Sequence, residues 1–149
     1  MIPPNIRLKS SGKAWWNEKL DLQWIDETFA DDKENKRILI RDHFSAHKMN
    51  STVEVLRDLN VDQILIPKGR TGKFQALDVG VMRPFKVAIE REYHDWRNAN
   101  DVLADSGNLK KPTRQDLINF VSKAWDSITS DCVRNAFRHS LKDIGIFTD

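Results

Sequence analysis

"RILIRDHFSAHKMNSTVEVLRDLNVDQILIP" occupies residues 37–67, and its reading decides the fold. "RILIRD" reads as a strand and "STVEVLRDLN" as a short helix. "VDQILIP" reads as a second strand, ended by Pro67, which has no N–H to continue a ladder. Strand, helix and strand joined by short links make a βαβ unit, which requires parallel pairing. Asp42 then stands at the tip of the first strand. An ionised aspartate is costly to bury without a partner. It is tolerated at a strand end, where ligand sites of α/β sheets gather. Taken alone, the Asp-x-x-Ser segment reads first as a turn cap.

Outward from this unit the organisation is largely helical. Upstream, "AWWNEKLDLQWIDETFADD" places Trp16, Leu20, Trp24, Ile25 and Phe29 at helical spacing, with Asp21 and Asp26 on the surface of that helix. Trp16 and Trp24 read as core or interface rather than as stacking platforms for bases. A short strand is expected around Ile6 to Leu8. Downstream, "KGRTGKFQALDVGVMRPFK" is a basic loop with glycines that enters a helix, with Pro84 in a first turn, where proline is tolerated. Phe85, Ile89, Tyr93 and Trp96 make that helix's apolar face. A polar linker covers 99–112. Thr113 and Asp116 then resemble a capping box, with Asp in place of the usual Glu. Leu117, Phe120, Val121, Ala124, Trp125 and Ile128 are the expected buried stripe. "SDCVRNAFRHSL" reads as a last helix, capped by Ser130 and ended by Gly145.

The chain has 149 residues, enough for one domain with a real core. Its 24 Lys and Arg against 22 Asp and Glu leave +2, too little to argue nucleic-acid binding from net charge. The single cysteine, Cys132, excludes an intrachain disulfide and suits a reducing compartment. No apolar run resembles a signal peptide or a membrane span, so an intracellular chain with no membrane partner is expected. Neither an internal repeat nor a low-complexity segment is present.

Asp78 follows the second strand, just before a helix. In a parallel βαβ unit both strands finish at one sheet edge, so Asp42 and Asp78 are expected to converge. Two carboxylates at such an edge suit Mg²⁺ or Mn²⁺. Metals so held can activate water and stabilise a leaving oxygen in phosphodiester chemistry. Acids at strand ends are common in α/β domains, so geometry alone is a modest signal.

Three strings carry a resemblance: "LIRDHFSAHK", "ILIPKGRTGKFQALDVGVMRPFK" and "FVSKAWDSITSDCVRNAFRHSLKDIGI". They resemble successive motifs of the DDE superfamily endonucleases. The subgroup is the pogo/Tigger and Jerky-type transposases, to which centromere protein B is related. The upstream "WWNEKLDLQWIDETF" is similar to the helix before that family's second acidic strand, and "LDVGVMRPFK" is the most diagnostic string. The likeness spans roughly residues 3–147 and favours the site reading of Asp42 over the turn cap.

The resemblance implies an α/β, RNase H-like catalytic core, incomplete at the N-terminus and followed by a helical C-terminal portion. Residues 3–98 would be the core carrying two acids, 99–112 the linker and 113–147 the helices. The family uses three acids to hold divalent metal for DNA strand cleavage and transfer. Asp42 matches the second acid and Asp78 the third. Nothing in "MIPPNIRLKSSGK" supplies the first, so this chain alone is expected to be catalytically weak or silent. The alternative is a transposon relic or domesticated module that binds DNA or protein.

His43 stands where the family commonly has Asn, and Ala76 where it has Pro. His47 matches the family's histidine, either bracing the loop or orienting Asp42. Both histidines are left out of the metal set. Lys68, Arg70, Lys73, Arg83 and Lys86 read as a phosphate-binding rim giving nonspecific DNA affinity. A merely solvated basic face is the competing reading. The expected location is the nucleus. Loss of the preceding strand would expose the edge along "ILIR", inviting self-association or pairing with a missing N-terminal segment.

Overall fold

The computed structural model describes residues 1–101, 103 and 107–142. They form two compact units: residues 9–75, and residues 1–8 together with the chain from Ala76 onward.

The first unit is the βαβ motif with a helix in front. α1 (Glu18–Phe29) begins at Asn17, whose side chain accepts from the Leu20 N–H. Trp16 therefore precedes the helix despite its helical spacing. β1 (Arg37–Arg41) and β2 (Val61–Leu65) pair in parallel, Arg37 opposite Val61 through Arg41 opposite Leu65. α2 (Asn50–Asp58) connects them after a 3₁₀ turn at Ser45–Lys48. Asn60 makes the turn into β2 at φ 56°, a left-handed conformation that asparagine tolerates better than most residues.

One face of this motif is filled by Ile25, Leu56, Leu59 and Val61, with Trp24, Phe29, Leu39 and Val55 packed around them. Period-two alternation sends Leu39 and Arg41 to that side. Ile38 and Ile64 are exposed, Ile38 at 62 %. They share an open groove with Val53 and Leu56.

The second unit is helical. α4 (Met82–Ala99) follows a π-helical turn at Leu77–Val81, and the short helix α3 (Thr71–Phe74) ends the first unit, so the expected basic loop is partly helical. α5 (Arg114–Asp126) starts with the capping box foreseen. The Asp116 N–H donates to Thr113 Oγ1 at 3.2 Å, and the Thr113 N–H donates to Asp116 Oδ2 at 2.8 Å. α6 (Ser130–Leu141) is capped by Thr129 rather than Ser130, because the Thr129 hydroxyl accepts from the Cys132 N–H. The expected end at Gly145 lies outside the described residues.

Two further expectations change. Residues 6–8 form no strand. Pro3 and Pro4 lack the donors a ladder needs, and Asn5 instead bonds to α5 through the Ser122 carbonyl and Asp126. The α5 stripe is narrower than its apolar pattern. Phe120 and Ala124 are buried, whereas Leu117, Val121 and Trp125 are exposed. Phe120 meets Tyr93 and Trp96 of α4 edge-on, and that aromatic contact orients the two helices. Among the described residues no helix is long and apolar enough to cross a membrane.

Candidate metal and nucleic-acid site

Asp21 is fully buried, which corrects its reading as a surface residue. It lies one helical turn from the equally buried Ile25, on the face of α1 turned inward. Burial is tolerated because Asp21 is surrounded by donors. Arg41 Nη1 reaches both carboxylate oxygens, at 2.9 and 3.1 Å. The Trp16 indole N–H donates to Oδ1 at 2.9 Å. The Thr52 hydroxyl lies 3.4 Å from Oδ2 while donating to the Ala46 carbonyl at 3.1 Å. Burial lowers the Arg41 pKa from the ordinary arginine value, and Asp21 opposes that shift. The guanidinium stays charged because its intrinsic basicity is so high.

Asp42 follows directly at the end of β1, with its side chain 42 % exposed. Oδ1 accepts from the Phe44 N–H at 3.3 Å, an Asx-type turn. The same oxygen lies 2.9 Å from His47 Nδ1, which is also 3.2 Å from the Asp42 carbonyl. Asp42 therefore does cap the turn, and it does so from the end of β1. His47 Nε2 lies 3.6 Å from Asp21 Oδ1, beyond hydrogen-bond length. Gln63 Nε2 donates to the His47 carbonyl at 2.9 Å, and Gln63 Oε1 accepts from Arg41 Nε at 2.7 Å. His43 Nδ1 is buried without a hydrogen-bond partner.

Asp78 belongs to the second unit. It is exposed, within the π-helical turn that leads into α4. Such turns recur at functional sites because they re-aim a side chain while keeping the helix. This one is held from behind by α6. Ala76, Val81 and Ala136 form a buried cluster with Ile128 and Val133 beside it. Gly80 lies so close to Ala136 that a Cβ there would stand 2.7 Å from the alanine methyl. The Cys132 thiol lies 3.6 Å from the Gly80 carbonyl. These contacts leave Asp78 on the outer side of an anchored turn.

The basic residues divide between the units. Lys68, Arg70 and Lys73 belong to the first, and Arg83 and Lys86 lie on α4 in the second; all five are exposed. Lys73 sits over the Phe74 ring, 5.4 Å from its centre. Among the described residues no three His, Cys, Asp or Glu side chains are grouped as a metal cluster. The donor chemistry of Asp42 and Asp78 nevertheless suits a hard divalent cation. Both offer carboxylate oxygen, and no hydrogen bond from the described residues reaches Asp42 Oδ2. The sequence singled out Asp42 and Asp78 by their place at strand ends and in the family-like motifs, but it had no signal for the Asp21, Arg41 and Gln63 side chains that lie behind Asp42.

Comparison with known proteins places the chain in a family. The family model described as DDE superfamily endonuclease matches residues 1–137. A pogo transposable element protein with KRAB domain from Mus musculus is 28 % identical over 143 residues, 92 % of this chain and 23 % of that protein. Its Homo sapiens counterpart is 29 % identical over the same shares. The MFS-type transporter clz9 of Cochliobolus lunatus is 25 % identical over 95 residues, 61 % of this chain and 10 % of that protein. The chain thus spans about a quarter of the length of the pogo relatives. No solved structure matches. With a family model covering most of its length, the chain belongs to the DDE superfamily endonucleases.

Proposed function

We propose that this chain is part of the RNase H-like catalytic domain of a pogo-type DDE transposase, acting on DNA in the nucleus. In this reading Asp42 and Asp78 are the carboxylates that this chain offers to Mg²⁺ or Mn²⁺. When bound, such ions activate a water or a DNA 3′-hydroxyl and stabilise the leaving oxygen of the scissile phosphate. Asp42 supplies an oxygen from the end of β1, and Asp78 supplies one from the turn anchored by α6. Lys68, Arg70, Lys73, Arg83 and Lys86 neutralise backbone phosphates, holding the strand without reading its sequence.

The observation that carries this reading is the aspartate at the tip of β1. Its Oδ1 is engaged by the Phe44 N–H and His47, and among the described residues nothing engages its Oδ2 at a partly exposed strand end. A turn-capping aspartate needs no buried ion pair behind it, whereas a ligand-bearing strand end gains from a rigid support.

The test is nicking of supercoiled plasmid with Mg²⁺ or Mn²⁺. It compares the chain alone with the chain joined to a relative's segment bearing the family's first acid. The joined protein should nick DNA, and Asp42→Asn or Asp78→Asn should each abolish nicking. DNA binding without cleavage in the joined protein would instead assign the chain to the relic or domesticated class. Nicking that survives either substitution would remove that aspartate from the site.

A further inference from the structure

We infer that His47 is a positioning residue that makes Asp42 a one-oxygen ligand, with Oδ2 alone presented to the cation. The inference rests on the metal reading of Asp42 and adds the means by which that side chain is aimed.

The two atoms within hydrogen-bond distance of His47 Nδ1 are the Asp42 Oδ1 at 2.9 Å and the Asp42 carbonyl at 3.2 Å. Both are acceptors, so Nδ1 must carry the proton. The Phe44 N–H adds a second donor to the same Oδ1 at 3.3 Å. No donor among the described residues reaches Oδ2. A carboxylate with both oxygens free rotates about its terminal bond. This one is held in a single orientation.

The histidine is itself fixed. Its ring stands edge-on to Phe44, with centres 5.6 Å apart. Its carbonyl accepts from Gln63 Nε2, and the sense of that amide is set by Arg41 Nε donating to Gln63 Oε1. Arg41 is anchored in turn on the buried Asp21. Hydrogen bonds therefore link Asp21, Arg41 and Gln63 to the His47 backbone, and the His47 ring carries the link on to Asp42. Supports of this kind alter a bound metal through the ligand they aim.

The experiment uses the whole chain with Mn²⁺ as the probe, monitored by electron paramagnetic resonance. His47→Leu should weaken Mn²⁺ binding about 10- to 100-fold. His47→Asn should restore most of that loss, because an asparagine amide can place a donor where Nδ1 stands. In the metal-free protein, ¹⁵N spectra should show a proton on His47 Nδ1. Asp42→Asn should shift that resonance. Equal Mn²⁺ affinity for wild type and His47→Leu, in a protein whose binding requires Asp42, would overturn the proposal. So would a proton found on Nε2 with none on Nδ1. Wild-type protein that binds no Mn²⁺ would overturn the metal reading, and the one-oxygen ligand with it; the ¹⁵N spectrum would still decide which nitrogen faces Asp42.

Discussion

Asp21 and Arg41 form a buried ion pair that ties α1 to the last residue of β1. Arg41 Nη1 lies 2.9 and 3.1 Å from the two carboxylate oxygens, and the residues are 0 % and 6 % exposed. Removing one partner of such a pair strands a buried charge, which outweighs the modest net value of the pair itself. Asp21→Ala should cost about 3–5 kcal/mol, read from urea unfolding. Replacing both residues together, Asp21→Leu with Arg41→Met, should recover much of that loss. A single substitution costing under about 1 kcal/mol would place the pair in the solvent-screened class instead.

Gly80 tests the anchoring of the Asp78 turn. In a helical segment Gly→Ala ordinarily gains about 1 kcal/mol. Here the new methyl would stand 2.7 Å from Ala136 Cβ and 3.1 Å from its Cα, so either α6 or the turn must move. Overpacking of this kind costs about 1–3 kcal/mol, which is enough to reverse the propensity gain. Gly80→Ala should therefore lower the melting temperature, and Ala136→Gly in the same chain should partly restore it. A stabilising Gly80→Ala would contradict the close approach.

Salt dependence separates a phosphate-binding rim from a solvated basic face. Each phosphate contact contributes about −0.9 to the slope of log affinity against log salt on duplex DNA. Arg70→Ala with Lys73→Ala should flatten the slope by about 1.8 and weaken binding similarly for unrelated sequences. Fluorescence anisotropy across a salt series measures both. An unchanged slope would assign these two residues to the solvated class.

The capping box gives a pH signature. The Thr113 hydroxyl, then the Thr113 backbone N–H, hold the Asp116 carboxyl below the usual aspartate range. Because the folded pKa is depressed, its stabilising effect is fully present above the ordinary aspartate value. It is lost as pH falls through the lower folded value. The melting-temperature gap between wild type and Asp116→Asn should stay constant from neutral pH to about pH 5 and shrink below about pH 4. A gap that persists unchanged in strong acid would show that the charge of Asp116 is not what caps α5.

The βαβ core was legible because both signals are local. Apolar runs bounded by turn residues mark β1 and β2, and Thr113 with Asp116 mark the start of α5. Asp42 and Asp78 were singled out by the motifs that contain them, as candidates. Asp21 was not found, because periodicity assigns an acid to the solvent face unless its partner is known. That partner is Arg41, 20 residues away on another element. Trp16 fits the helical spacing of α1 but falls before its cap, since Asn17 offers the side chain that ends the helix. Leu117 and Val121 continue an apolar pattern but stay exposed, as does Trp125 even with one edge against Phe85 of α4. Sequence spacing cannot state how wide the buried strip is.

The measurement that bears most directly on the account is Mn²⁺ binding by the whole chain, followed by electron paramagnetic resonance, for wild type, Asp42→Asn and Asp78→Asn. Asparagine keeps the shape of each side chain and removes the charge, so the loss reads ligation rather than packing. Two carboxylates without a third ligand hold a divalent ion weakly, so wild-type binding should be weak but saturable. Each substitution should reduce it markedly, with the protein still folded. Saturable binding that is unchanged by both substitutions would contradict the assignment of Asp42 and Asp78 to one metal site.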